Sequence, residues 1–141
     1  MNPATEFTQA LISFDEKEPA FSPKHLAEFA VEVLSDPYLK VKDLSIMISY
    51  ILTLIADRAT WPGQRARIRE RFAKAVGCIP KMKFRYWGKE GFGSPSYRKE
   101  QAVQVSKTLI RECRKINDDE FVARTMKHLQ RNLKSITSSR R

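Results

Sequence analysis

Apolar side chains recur at three- and four-residue spacing along nearly the whole chain, and this period most constrains the fold. Between Leu44 and Arg58, Ile48, Ile51, Leu52 and Ile55 form one stripe, which Met47 and Leu54 widen. Residues spaced this way share one face of an α-helix, and so broad an apolar face predicts a central helix. The run from Leu44 to Ala56 is broken by Ser45, Ser49 and Thr53. It is also shorter than the ~20 apolar residues a bilayer span needs, so it reads as core.

The same period appears in Phe7, Ala10, Leu11 and Phe14 (residues 6–14), and in Leu26, Phe29, Ala30, Val33 and Leu34. It returns in Ile68, Phe72, Ala75 and Val76, then in Ala102, Val105, Leu109, Ile110 and Cys113, and last in Phe121, Val122, Met126, Leu129 and Leu133. Helix-start and helix-stop signals separate these stripes. Asp15 to Pro19 is a polar linker. Ser22-Pro23, Asp36-Pro37 and Ser94-Pro95 pair a capping side chain with a proline whose missing N–H is harmless in a first turn. Asp43 can cap the central helix. Thr60-Trp61-Pro62-Gly63 breaks the chain, Gly77 is placed to end a helix near 64–76, and Asn117 with Glu120 three residues later has capping-box spacing. With 42% apolar residues and only 5 Gly and 7 Pro in 141, the expectation is an all-α fold, a single domain of five to six helices.

Charge divides the chain. Residues 1–60 carry 5 Lys or Arg and 9 Asp or Glu; residues 61–141 carry 21 and 7, within a total net charge of +10. An acidic-apolar part (1–60), open to an oligomerisation role, therefore precedes a strongly basic part (61–136) and a short basic tail (137–141). Concentrated positive charge attracts polyanions, nucleic acid foremost. Other function classes find little support. Cys78, Cys113, His25 and His128 are too few and too scattered for a structural zinc site. Two lone cysteines and no secretory leader suit a reducing, cytoplasmic setting, nucleoid-associated in a bacterium. No zinc-protease, Walker or nucleophile-elbow motif occurs, and the carboxylates at 15–16 and 118–120 sit where they would cap helices. No cofactor, metal or membrane partner is expected, and no enzymatic activity. A nuclease acting through Lys, Arg and Tyr alone would carry no motif and stays open.

Residues 65–93 are the most informative. A helix with Arg65, Arg67, Arg69 and Arg71 ends at Gly77, a short turn Cys78-Ile79-Pro80 follows, and then comes Lys81-Met82-Lys83-Phe84-Arg85-Tyr86-Trp87. Placed on a helix, Phe84 and Trp87 fall on one side and Lys81, Arg85 and Lys89 on the other, flanked by Met82 and Tyr86. Such a face suits the major groove, where cations hold phosphates and read guanine edges. Alternatively, the strict basic–apolar alternation from 81 to 86 fits a half-buried strand, with aromatics available to stack unpaired bases. The helix is preferred because no second strand is present to pair with it.

In Ala73, in Gly77 four residues later, in Phe84 and Trp87 and in the run Arg85–Gly91, the segment resembles the helix-turn-helix domains of phage and bacterial repressors. The similarity covers about 25 residues. Phe84 lies seven residues after Gly77 where the pattern places its first inward residue at six, so the turn would be one residue longer. The resemblance implies a DNA-binding regulatory or accessory protein of phage or mobile-element type. Lys81, Lys83, Arg85, Tyr86 and Lys89 would meet duplex DNA, and Arg65, Arg67 and Arg71, with Arg98 and Lys99 on the following helix, would hold its backbone. A homodimer is the natural arrangement for paired half-sites. RNA or single-strand binding through 81–87, or a basic face for an acidic protein, remain as alternatives. Gly88, Gly91 and Gly93 are expected to form a flexible connection.

Overall fold

The computed structural model describes residues 62–138 together with residues 31, 34–37, 45, 48, 49, 52, 53 and 56. Among the described residues all regular structure is helical, as the apolar period predicts. Four helices follow one another: α1 (Pro62–Gly77), α2 (Ile79–Glu90), α3 (Pro95–Cys113) and α4 (Asp119–Thr137). Residues 31, 34 and 35 and residues 45, 48, 49, 52, 53 and 56 are also helical. The expected helix over 6–14, the linker 15–19, the start at Ser22-Pro23, the inward set Leu26, Phe29, Ala30 and Val33, the Asp43 cap, the stripe members Met47, Ile51, Leu54 and Ile55, Thr60, Trp61, the side chain of Ile68 and residues 139–141 lie outside the described residues.

The helix ends show local chemistry. Ser94 caps α3, its hydroxyl accepting the Tyr97 N–H at 3.1 Å, with Pro95 following as expected. The cap of α4 is Asp118 rather than Asn117: one carboxylate oxygen accepts the Phe121 N–H at 3.0 Å while the other accepts Arg69 Nε at 3.1 Å. Asp118 thereby caps α4 and ties it to α1 at once. The expected turn at 78–80 shrinks to Cys78 alone, because Ile79 and Pro80 already belong to α2 and a first-turn proline has no orphan N–H to satisfy. At the far end, Gly91 adopts φ 73° and the Phe92 N–H bonds back to the Trp87 carbonyl at 2.8 Å, a left-handed helix stop. Gly88, expected in the connection, lies inside α2.

α1 packs chiefly on α4 and α2 chiefly on α3; α4 also touches α2 and α3, whereas α1 and α2 meet little. The core runs through all four helices, with Phe72 and Val76 from α1, Ile79 and Trp87 from α2, Val105, Leu109 and Cys113 from α3, and Phe121 and Leu129 from α4. Phe72 and Phe121 stack with centroids 5.3 Å apart. Leu34, Ile48 and Leu52 join this core from the N-terminal part, so the central-helix expectation holds at the two of these positions, Ile48 and Leu52, that belong to its stripe.

Gly77 lets α1 and α4 cross closely. A Cβ there would stand 2.4 Å from the Cβ of His128. The same approach brings Asn132 Nδ2 to 3.1 Å from the Gly77 carbonyl, satisfying one of α1's terminal acceptors. Gly77 is therefore needed for helix contact. Replacing it with alanine forces backbone apart in a packed junction, and Gly77→Ala is expected to lower unfolding free energy by about 1–3 kcal/mol in urea titration; an unchanged midpoint would contradict the contact.

Candidate nucleic-acid interface

α2 is amphipathic in an unusual register. Its buried residues are Ile79, Pro80, Lys83 and Trp87, so the inward stripe steps by one turn from Ile79 to Lys83 to Trp87. The opposite side carries Lys81, Arg85 and Lys89. Arg85 and Lys89 are exposed and Lys81 is half-buried. None of the three pairs with a carboxylate among the described residues. The expected basic face thus exists, and its helix is held from behind by one of the largest buried side chains, Trp87.

Lys83 is corrected. The sequence reading places it among the DNA contacts, but it is 0% exposed. Its Nζ donates to the Asp36 carbonyl at 2.5 Å and lies 5.1 Å from the Trp87 ring centroid, while Trp87 Nε1 donates to the Leu34 carbonyl at 3.1 Å. Residues 34 and 35 are helical and 36 is not. Two α2 side chains therefore cover the carbonyls closing that helical segment, where a cation is favoured by the helix dipole. Desolvation by burial pulls the Lys83 ammonium down from 10.5 to about 7, with the Asp36 charge opposing the shift.

Other expected contacts divide. Arg67 and Arg71 are exposed on the outer side of α1, while Arg65 is half-buried. Arg69 is bound to Asp118. Tyr86 is half-buried and packs against the core. Arg98 is half-buried and engaged within the fold: its guanidinium lies 4.9 Å from the Phe84 ring centroid and Nη1 donates to the Phe84 carbonyl at 3.3 Å. The missing side chain of Gly88 makes room for it, since a Cβ there would meet Arg98 Nη1 at 2.4 Å. Arg98 is a staple between α2 and α3. Lys99 is half-buried on α3.

The structure adds neighbours that local sequence pattern does not reveal. Lys81, Phe84 and Arg85 border a hollow of about 200 Å³ whose other wall is Ser135 and Ile136 of α4. Arg131, exposed one turn before Ser135, lies on the same side of α4. The α2 cations therefore continue onto the last turns of α4. Exposed cations also occur on α3 (Lys107, Arg111), just past its end (Arg114) and on α4 (Lys127, Lys134), but the outer side of α3 interleaves Glu100 and Gln104 with them.

A separate ionic cluster joins α1 to α4. Glu70 receives Arg124 at 2.7 Å and His128 Nε2 at 2.8 Å, and Arg124 also reaches Glu120 at 2.8 Å. Hydrogen bonds from Arg124 first and His128 second hold the Glu70 carboxyl below its usual range. Cys113 is buried, and desolvation pushes its thiol up to about 11, so it stays protonated. No group of three or more His, Cys, Asp or Glu able to hold a metal occurs among the described residues, and no helix among them is long and apolar enough to cross a membrane. No protein-family model, curated protein or solved structure matches the chain.

The Lys83 environment has a definite pH consequence. Its value is lower in the folded than in the unfolded chain, so the unfolded state binds more protons between about pH 7 and 10.5. Stability from this group therefore rises with pH through that window and is flat below it. Thermal melts at pH 6.5 and 9.5 should show a gain in the wild type that Lys83→Met lacks; parallel profiles for the two proteins would contradict the assignment.

Proposed function

We propose that the protein binds nucleic acid, duplex DNA first, through the outer face of α2, in a regulatory or accessory role. The observation that carries this reading is the row Lys81, Arg85 and Lys89: three cations one turn apart, with no carboxylate partner among the described residues, on a helix whose other side is locked into the core. A rigid cationic helix suits a groove because little side-chain-bearing backbone must be ordered on binding. Lys and Arg at one-turn spacing can hold phosphates while Arg85 reaches a base edge. The net charge carried by residues 61–141 favours fast, salt-sensitive encounter with the same polyanion. Arg67 and Arg71 of α1 and Arg131 of α4 would supply backbone contacts beside the groove. A homodimer formed through the acidic N-terminal part would present two copies of α2 to paired half-sites.

Fluorescence anisotropy with a labelled duplex across a salt series tests this. Log affinity should fall with log salt at about −0.9 per phosphate neutralised. The triple variant Lys81→Ala/Arg85→Ala/Lys89→Ala should bind far more weakly, with a slope shallower by roughly 2–3. An unchanged slope would place the interface elsewhere. A strong preference for single-stranded RNA of equal length would replace duplex DNA as the ligand.

A further inference from the structure

The hollow between α2 and α4 has a chemistry that a row of phosphate-binding cations does not need. Its rim is polar: Lys81 and Arg85 on one side, the exposed Ser135 on the other. Its inner wall is apolar: Phe84, half-buried, and Ile136, buried. Phe84 is also fixed in place, because Arg98 lies against its ring and bonds to its carbonyl. At about 200 Å³ the hollow is smaller than the ~300–1,000 Å³ of pockets that take drug-sized ligands.

A paired duplex shows a protein its base edges and thymine methyls in the groove, while the flat faces of its bases stay stacked on one another and out of reach of a hollow. The one planar, largely apolar group that nucleic acid can offer a small hollow is a base out of its stack, and proteins that take such a base set it against aromatic or apolar side chains. We infer that the hollow formed by Lys81, Phe84, Arg85, Ser135 and Ile136 receives a single unstacked nucleotide. Its base lies against Phe84 and Ile136, and its phosphate is held by Lys81 and Arg85 at the rim. Ser135 supplies a hydroxyl able to donate to, or accept from, the base edge or sugar. This inference rests on the proposed nucleic-acid role of α2 and narrows it: the preferred target is a duplex carrying one displaced base.

The test compares three labelled duplexes of identical length: fully paired, with one bulged adenine, and with one bulged abasic site. The wild type should bind the adenine bulge about fivefold or more tightly than either other duplex, the scale of one base–aromatic contact. Phe84→Leu should lose that preference while binding the paired duplex as before. Because Phe84 supports Arg98 and its loss could unsettle the fold, Ser135→Leu provides a second variant. This exposed position should fill the hollow without touching the core, and it should abolish the preference in the same way. Equal binding of all three duplexes by the wild type, or an abasic bulge bound as well as the adenine bulge, overturns the inference and leaves the α2 reading intact. Binding of none of them at low salt overturns both.

Discussion

What α2 can present to a partner depends on the burial of Trp87. Its indole fills the core between α2 and the helices around it, and its N–H is satisfied by the Leu34 carbonyl. A buried indole with a fixed hydrogen bond allows the helix almost no rotation about its axis. Lys83, one turn earlier, reaches the neighbouring Asp36 carbonyl. Together the two side chains set the rotational register, and Lys81, Arg85 and Lys89 are exposed as the geometric complement of that choice. The price of this arrangement is a buried lysine whose charge is disfavoured by desolvation and which donates to the Asp36 carbonyl just past that helical segment.

The α1–α4 crossing positions the rest. Gly77 permits the approach, Asn132 satisfies the carbonyl that the approach would orphan, and Glu70 with Arg124 and His128 closes the outer edge. Asp118 ties the start of α4 to α1. α4 is thereby held along its length, and its final turns arrive beside α2. The hollow at Ser135 and Ile136 is a product of that placement, since neither α2 nor α4 forms it alone.

Much of the fold was legible because helical period is a local signal. The α3 stripe and the Ser94-Pro95 start are found where they are expected, and the choice of helix over strand for 81–87 followed correctly from the absence of a pairing partner. The inner face of α2 was misjudged by one residue. Taking Phe84 with Trp87 as the apolar pair ignored that Ile79, Lys83 and Trp87 are spaced by one turn each; the signal was present, but lysine carries a strong presumption of exposure. The internal contacts of Arg98 and Tyr86 are hard to read for a related reason, because a guanidinium stacked on an aromatic ring and a phenol packed partly on a core look from sequence like surface groups. Ser135, Ile136 and Arg131 could not be read at all. Their relation to α2 is a tertiary contact between segments about fifty residues apart, which no local pattern encodes.

Whether the outer face of α2 meets nucleic acid, as proposed, is read residue by residue in an amide and arginine side-chain NMR titration with a short duplex at physiological salt. The largest shifts should fall on Lys81, Arg85, Lys89 and the flanking Arg131, with the buried Lys83 moving little. Shifts centred instead on Lys107 and Arg111 of α3 and on Arg114 just past it, with α2 unperturbed, would contradict that reading.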